Sequence, residues 1–318
     1  MALGGEQKKY FGAALSGSLK CHRCPVCDGY GCEGNMPGLG GVFNSKNFQL
    51  NVEAWKDLFA QAEKEGKASE ITSIKITSEM LRCGPVTGAV ENIGYAQEKD
   101  FYLPYLSNAA QAGFGLCIGD GCPDEKLQLG LDAVKTIRKE KGTDPSLSSF
   151  SAAFFLKPYP QDKLKERASW VRDYADYIGI DIDSYNIVTM RNLVNLERKT
   201  SAQLEDFRNY TQRPFVIKGV FTQDDIELVR EVKPDVVYIS NHGGRIETRI
   251  GSSGDFLAKN ALELKKYCKE LWVDGGIRSK QDVQTAIYYG ADRVILARPL
   301  IHATYDGNYE SVVKTLLD

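Results

Sequence analysis

An apolar run in the second half of the chain leads directly into residues that could do acid–base chemistry. Residues 236–239 (VVYI) are followed by Ser240, Asn241, His242, two glycines and Arg245. Histidine has the side-chain pKa nearest to neutral pH, and glycine lets a backbone adopt positive φ and approach a ligand closely. This order of residues predicts a strand that ends at a functional site. The alternative is a surface turn that contains a histidine by chance.

Two later segments have the composition of a phosphate site: DGGIRS at residues 274–279 and ARPL at residues 297–300. Gly275 and Gly276 permit a close backbone approach, and the guanidinium groups of Arg278 and Arg298 match the oxygens of a phosphate. The two segments therefore predict one phosphate pocket. The alternative is a strand end with two solvated arginines.

The elements that would position these residues follow a repeating pattern of short apolar runs and amphipathic stretches. Eight runs predict strands, at residues 71–77, 114–119, 151–157, 177–183, 215–219, 236–240, 271–276 and 293–299. Eight βα units in about 250 residues are typical of a (β/α)8 TIM barrel, whose active site lies at the carboxyl ends of the strands. Polar residues near those ends would then converge on one mouth (Asp183, Lys218, Ser240, Asp274 and Arg298), whereas an open doubly wound sheet would scatter them.

Residues 1–66 do not share this repeat and are predicted to form a cysteine-rich extension packed on a barrel of residues 67–318. Cys21, Cys24, Cys27 and Cys32 have the spacing C-x2-C-x2-C-x4-C. Thiolates so spaced can hold a metal ion such as zinc or an iron–sulfur cluster. Reduced thiols, or a disulfide formed during purification, are the alternatives.

The composition excludes several classes of partner. The 318 residues carry a formal net charge of −2, with Lys and Arg spread along the chain, which gives no basic stripe for nucleic acid and no polybasic membrane anchor. The chain also contains no apolar run long enough for a membrane span or a leader. We expect a cytoplasmic protein that acts on a small molecule.

The order of these motifs resembles a known family. IKGV, SNHGGR, DGGIRS and GADRVILARP, within residues 214–318, are similar to the FMN-dependent α-hydroxy-acid oxidising family, which includes glycolate oxidase, lactate oxidase and the flavin domain of flavocytochrome b2. The resemblance implies FMN as the cofactor and oxidation of a small 2-hydroxy acid, or a related alcohol, by hydride transfer to flavin N5. It also implies a homo-oligomer, since members of the family often form tetramers.

The resemblance implies a role for each matching residue. His242 matches the base that takes the hydroxyl proton, Asp183 its carboxylate partner, and Arg245 the arginine that holds the substrate carboxylate. Lys218 matches the lysine beside flavin N1 and O2, where a cation stabilises the charge of the reduced ring. The remaining contacts to FMN are implied for Ser240, His242, Asp274, Gly275, Gly276, Arg278, Ala297 and Arg298.

The chain departs from the family around the substrate. Phe155 and Lys157 stand where the family has a glutamine and a tyrosine, Asp181 replaces a threonine, and Thr248 replaces an aspartate. Lys157 and Arg191 are candidates for substrate binding, Arg191 as the second carboxylate-binding arginine. These changes leave two alternatives to oxidation: non-oxidative chemistry like that of type 2 isopentenyl diphosphate isomerases, or a flavin-binding protein with a decayed substrate site. The SNHGGR segment argues against the first.

Overall fold

The structure is a computed structural model, and it describes residues 46–93, 95–143, 150–186, 194–246 and 249–318. The four closely spaced cysteines at residues 21–32 lie outside the described residues. So do Arg191 and Thr248.

Eight parallel strands form the centre of the molecule. They are β1 (Leu81–Cys83), β2 (Leu116–Gly119), β3 (Ala152–Leu156), β4 (Tyr177–Asp181), β5 (Phe215–Val220), β6 (Val236–Ile239), β7 (Glu270–Val273) and β8 (Arg293–Leu296). Neighbouring strands pair in the order β1-β8-β7-β6-β5-β4-β3-β2. A parallel bridge between Arg82 and Gly115 brings β1 beside β2 and closes the ring. The predicted (β/α)8 barrel is therefore confirmed.

Helices alternate with the strands along the described chain and cover the outside of the ring. In order they are α1 (Lys46–Lys64), α2 (Ala68–Thr72), α3 (Lys99–Gln111), α4 (Glu125–Thr143), α5 (Gln161–Val171), α6 (Ser201–Thr211), α7 (Gln223–Val232), α8 (Ser253–Leu264), α9 (Lys280–Tyr288), α10 (Arg298–Asp306) and α11 (Tyr309–Leu317). None of the helices in the described ranges has the length and apolar character needed to cross a membrane.

Capping residues fix where several helices begin. Thr222 caps α7 and Ser279 caps α9, each by accepting the backbone N–H of an aspartate three residues later, which in turn accepts from the capping residue's N–H. Each capping box satisfies donors that a helix leaves unpaired at its first turn. The caps therefore fix the residue at which each of these two helices begins.

The first predicted strand was wrong. Residues 71–77 lie in α2 and the segment after it, and β1 begins at Leu81. The run ITSIKIT has strand-like alternation, but it lies outside the ring: Gln284 of α9 donates to the carbonyls of Thr72 and Ile74 at 2.9 Å each. The strand that follows is only three residues long, too short for a periodic signal.

The core has two layers because strand residues alternate in direction. Inside the ring, Phe155, Tyr238 and Trp272 pack against one another with their ring planes inclined by 58–74° and ring centres 5.4–6.4 Å apart. A larger apolar layer fills the space between the strands and the helices. The aromatic cluster fills part of the interior of the barrel, and Phe155 also lines the cavity at the carboxyl ends of the strands.

Candidate active site

A cavity of about 290 Å³ lies at the carboxyl ends of the strands. Charged side chains from seven strands (β2 to β8) or the segments after them line it, together with glycines and apolar residues such as Phe155 and Ile295. The polar residues at the strand ends therefore converge on one cavity, as predicted. The charged residues among the lining are Asp120, Lys126, Lys157, Asp181, Lys218, His242, Arg245, Asp274, Arg278 and Arg298.

His242 reaches the cavity through an unusual backbone conformation. Its φ is +56°, in the left-handed region that non-glycine residues seldom adopt, and Gly243 follows with φ +62°. The turn is held because Asn241 Oδ1 accepts from Gly244 N at 3.0 Å and Ser240 Oγ accepts from His242 N at 3.1 Å. Strained backbone that its surroundings maintain is concentrated at functional sites.

Asp183 orients the imidazole. Nδ1 of His242 lies 2.9 Å and 3.0 Å from the two carboxylate oxygens of Asp183. The aspartate fits there because β5 bulges at Gly219, which has φ +95°. A Cβ at Gly219 would lie 2.5 Å from Cγ of Asp183. Any residue other than glycine at this position would therefore displace the Asp183 carboxylate.

Three charged side chains form a row across neighbouring strands: Lys157, Asp181 and Lys218. The Asp181 carboxylate accepts from both lysine ammonium groups at 2.7 Å, and Oδ2 also lies 3.2 Å from His242 Nε2. Lys157 Nζ is 3.3 Å from the same ring nitrogen. The register explains the row, because Asp181 pairs with Lys218, and Lys157 follows the β3 residue that pairs with Ile180.

Burial and these charges move the pKa values of the cluster apart. Burial alone would raise the pKa of Asp181, but His242, Lys157 and Lys218 hold it well below its usual value. Burial and the neighbouring Asp181 raise the pKa of Asp183 well above its usual value. Burial lowers the pKa of His242 well below 6.5, and the charges of Lys218, Lys157 and Arg245 lower it further while Asp181 opposes them. The resting imidazole is therefore neutral.

Lys218 is a buried, permanently charged side chain that lines the cavity. Burial acts to lower its pKa, but Asp181, Asp183 and Asp274 outweigh burial and raise it. Asp274 also accepts from the Tyr238 hydroxyl at 2.7 Å through Oδ2. Its Oδ1 is buried and meets no hydrogen-bond donor among the described residues, and burial raises the pKa of this carboxyl group.

The two predicted phosphate segments line the same cavity. Gly275, Gly276, Arg278, Ala297 and Arg298 all line it. The guanidinium carbons of Arg298 and Arg278 lie 5.5 Å and 5.9 Å from the centre of the Phe48 ring. Two guanidinium groups beside two glycines form a donor set suited to a phosphate.

Arg245 lines the cavity beside the histidine, and its Nη1 donates to the carbonyl of His242 at 3.3 Å. The structure thus brings together all the residues predicted for base, cation and phosphate roles that lie within the described ranges. Arg191, the other candidate for substrate binding, falls outside them.

Sequence reasoning missed the contribution of α1. Asn47, Asn51 and Trp55 recur every four residues and therefore share one buried helix face. Asn51 pairs with the Asn241 side chain at 2.8 Å and accepts from Ser253 N at 2.9 Å, and Trp55 Nε1 donates to Gly275 O at 2.8 Å. Polar residues on the apolar face of a helix were the available signal, since buried amides need partners.

A second missed group lies after β2. Asp120 is buried, accepts from the backbone N–H of Lys157 at 3.2 Å, and is paired with the buried Arg167. Arg167 also contacts Asp124. Burial raises the pKa of Asp120 to about 6, although Arg167 acts to lower it.

Comparison with known proteins places the chain in a family. The sequence model of the FMN-dependent dehydrogenase family matches residues 131–317, more than half of the chain. The chain therefore belongs to the FMN-dependent dehydrogenase family.

Curated relatives match over the C-terminal motifs. 2-Hydroxyacid oxidase 2 from Bos taurus is 35% identical over 113 residues, which are 35% of this chain and 31% of that protein. L-lactate dehydrogenase from Pseudomonas putida is 38% identical over 100 residues, covering 31% of this chain and 26% of that protein. Each alignment thus spans less than a third of the relative's length.

Solved structures share the fold over a longer stretch. A mandelate oxidase variant with (S)-mandelic acid superposes with a TM-score of 0.59 at 18% identity, covering 86% of this chain and 90% of that chain. A lactate oxidase from Pediococcus acidilactici gives a TM-score of 0.57 at 17% identity, with 82% and 87% covered. At this identity the likeness concerns the barrel architecture.

The residues of the cavity fit FMN. Arg278 and Arg298 with the adjacent glycines match its phosphate, and the buried Asp274 Oδ1 can accept from a hydroxyl of its ribityl chain. Lys218 offers a fixed positive charge, and Phe155 and Ile295 offer apolar surface for a flat ring. The donor set is therefore that of a flavin mononucleotide site.

Proposed function

We propose that this chain binds FMN and oxidises a small 2-hydroxy acid to the 2-oxo acid. The observation that supports this most strongly is the placement of His242, with Asp183 on Nδ1, in one cavity with Lys218 and Arg245. A base with a carboxylate partner, a cation for the cofactor and a cation for a carboxylate are the parts that the reaction requires.

In this proposal each residue has a separate task. Arg245 holds the substrate carboxylate, assisted by Lys157 and Arg191, so that the hydroxyl group faces His242 Nε2. His242 takes the hydroxyl proton, and Asp183 stabilises the imidazolium that forms. When bound, FMN supplies the acceptor for the hydride that leaves C2. The substrate loses a proton and a hydride and becomes the 2-oxo acid.

Lys218 acts on the cofactor side. A buried cation stabilises negative charge that develops on a reduced ring more strongly than water would, because it needs no reorganisation. Arg278, Arg298, Gly275, Gly276 and Ala297 hold the phosphate end, and Ser240 and Asp274 complete the cofactor contacts. These roles agree with the cavity lining and the hydrogen bonds around His242.

Several further predictions belong to the whole protein. We expect a cytoplasmic homo-oligomer, a tetramer being the form common in the family, and a division into an extension of residues 1–66 and a barrel of residues 67–318. We also keep the prediction that Cys21, Cys24, Cys27 and Cys32 bind a metal ion or an iron–sulfur cluster. Metal analysis of the purified protein tests it, and less than a small fraction of one metal per chain would refute it.

A dye-linked assay tests the proposed reaction. Glycolate, lactate and mandelate are each supplied with an artificial dye as electron acceptor, and the 2-oxo acid is quantified as its hydrazone. We expect one 2-oxo acid for each two electrons delivered to the dye with at least one substrate. His242→Gln should lower that rate by about 10²–10⁴-fold.

Arginine variants separate binding from general effects of charge. Arg245→Met should raise KM for the substrate, whereas Arg198→Met, which removes an exposed arginine paired with Asp224, should leave the rate and KM unchanged. Retained FMN without turnover on any 2-hydroxy acid would instead favour non-oxidative chemistry or a decayed site.

A further inference from the structure

Each ring nitrogen of His242 faces a carboxylate. Nδ1 lies 2.9 Å from Asp183 and Nε2 lies 3.2 Å from Asp181. Nε2 also lies 3.3 Å from a cation, the ammonium group of Lys157. Lys157 and Asp181 are themselves paired at 2.7 Å, and their side chains are 8% and 5% exposed. Water is therefore largely kept from this pair, whereas the imidazole itself lines the cavity that a substrate would enter.

The chemistry of the two partners is complementary. A neutral imidazole whose Nδ1–H points at Asp183 has a lone pair on Nε2, and an ammonium group can donate to it whereas a carboxylate cannot. A protonated imidazole has an N–H at Nε2, which a carboxylate can accept and an ammonium group cannot. Protonation of the ring thus exchanges its Nε2 partner from Lys157 to Asp181.

We propose that Lys157 and Asp181 are positioning residues that act in opposite directions on the base: Lys157 holds neutral His242 and Asp181 holds its protonated form. The exchange needs no large movement, because both partners already lie within 3.3 Å of Nε2. The role of His242 as a base rests on the proposed function, but the exchange concerns only the proton of the ring.

The proposal gives a reason for two departures from the family at once. A lysine at position 157 alone would add a buried cation beside the base, and an aspartate at position 181 alone would add a buried anion. Isolated buried charges are costly, whereas a hydrogen-bonded pair offsets much of that cost. The pair leaves the net charge of the site unchanged while giving Nε2 both a donor and an acceptor.

The other charges that face the ring from the surrounding elements must be included in any titration. They are Asp183 after β4, Lys218 on β5 and Arg245 in the histidine's own loop, with Asp274 after β7 acting on Lys218. Lys218 and Arg245 oppose protonation of the ring, and the Asp183 carboxyl group lies 2.9 Å from Nδ1. These groups remain in place in every variant below, so they do not determine the direction of the differences.

Nitrogen-15 NMR of the imidazole groups tests the exchange directly. The chain has three histidines, so loss of a signal in His242→Gln assigns this ring, and the shifts of its two nitrogens report both tautomer and pKa. The titration is made on the FMN-saturated protein. We expect Asp181→Asn to lower the pKa of His242 and Lys157→Met to raise it, each by about one unit or more. The double variant should lie between the two single variants.

The test includes a control variant and does not depend on every variant folding. Lys199→Met removes another buried lysine, which pairs with Glu197, and should leave the His242 titration unchanged. If Asp181→Asn fails to fold, Lys157→Met alone decides, because its pKa shift must be upward. Shifts of both variants in the same direction, or no shift in Lys157→Met, would overturn the exchange. Opposite shifts without any turnover of 2-hydroxy acids would retain it and refute the proposed function.

Discussion

The residues around His242 concentrate opposite charges in a space that water barely reaches, and each is held by a specific contact. The row Lys157–Asp181–Lys218 and the pair Asp183–His242 share one hydrogen-bonded cluster. In such surroundings a displacement of about 1 Å can cost about 10²-fold in rate. Small changes next to the cluster should therefore affect chemistry more than stability.

Gly219→Ala tests this sensitivity. The new methyl group would collide with the Asp183 carboxylate and move it from Nδ1 of His242. We expect the rate of substrate-dependent flavin reduction, followed by stopped flow, to fall by about tenfold to 10²-fold.

Gly66→Ala is the matched control for Gly219→Ala. Gly66 also has positive φ, +76°, but an added Cβ there meets no atom within 4 Å. This variant should lose about 1 kcal/mol of stability from the backbone alone and keep the wild-type rate. Equal losses of rate in both variants would contradict a role for the Asp183 position.

Asp120 should make stability depend on pH. Its pKa in the folded protein is about 6, above the ordinary value of 3.8, so the folded state binds its proton more tightly than the unfolded state. This contribution to stability is fully present below the pKa that Asp120 has in the unfolded chain. It is lost as the pH rises through about 6, the pKa of Asp120 in the folded protein. Between about pH 4.5 and pH 8 it should cost the wild type on the order of 2 kcal/mol relative to Asp120→Asn, which does not titrate.

Urea unfolding of both proteins at the two pH values gives the comparison. Other titrating groups contribute equally to both proteins, so the difference between the two pH dependences isolates Asp120. Parallel pH profiles would show that the carboxyl group titrates at its ordinary pKa.

At the scale of the elements, α1 is the part of the site that the motifs did not reveal. Its first three turns hold two loops, residues 240–246 after β6 and residues 274–276 after β7, through Asn47, Asn51 and Trp55. The sequence did not reveal this role, because propensity and periodicity carry no information on which distant loops a helix face meets. Only the polar residues on that face indicated that it had partners.

Asn51→Ala should loosen both loops. The change removes the partner of the Asn241 side chain and of Ser253 N, leaving buried groups unsatisfied. We expect a loss of about 2–4 kcal/mol in the free energy of unfolding and weaker binding of FMN, measured by urea unfolding and by quenching of flavin fluorescence.

Gln61→Ala, on the exposed face of the same helix, provides the comparison, since the Gln61 side chain donates to the exposed Glu65 at 3.1 Å. It should change stability by less than about 0.5 kcal/mol and leave FMN binding as in the wild type. A similar loss in both variants would mean that α1 contributes only helix stability.

At the scale of the whole molecule, closure of the barrel depends on a short seam between β1 and β2. Arg82 is buried there, donating to Ser151 Oγ and to the carbonyl of Leu116 at 2.8 Å each, and it lies 4.4 Å from the centre of the Trp272 ring. The seam carries few backbone bonds, such as Cys83 N to Gly115 O at 2.9 Å. A single side chain therefore joins three strands or the segments next to them.

Arg82→Met should open this seam. Unpaired carbonyls and the lost ring contact should lower the free energy of unfolding by about 2–3 kcal/mol. Hydrogen exchange should accelerate at residues 81–83 and 114–119 before it does so elsewhere in the ring. Arg138→Met, which removes a partly exposed arginine paired with Asp176, should leave that exchange unchanged, and uniform acceleration around the ring would disprove a local seam.

The architecture was predictable from the sequence because strand runs, turns and polar strand ends repeat, and seven of the eight predicted strands overlap the observed ones. The exception, residues 71–77, shows the limit: a solvent-side segment can alternate as a strand does, and β1 is too short to be detected. Within the site, His242, Asp183, Lys218 and Arg245 followed from motifs. The meeting of Lys157 with Asp181 did not, because it depends on the register of β3 against β4.

The central claim, that this barrel transfers a hydride from a 2-hydroxy acid to bound FMN, is tested most directly by an anaerobic visible spectrum. The FMN-saturated protein is recorded before and after addition of glycolate, lactate and mandelate in turn, beside His242→Gln. The account predicts that the flavin absorbance of the wild type bleaches with at least one acid and that the variant stays oxidised on the same timescale. Flavin that is bound yet remains oxidised with every acid, in both proteins, would contradict it.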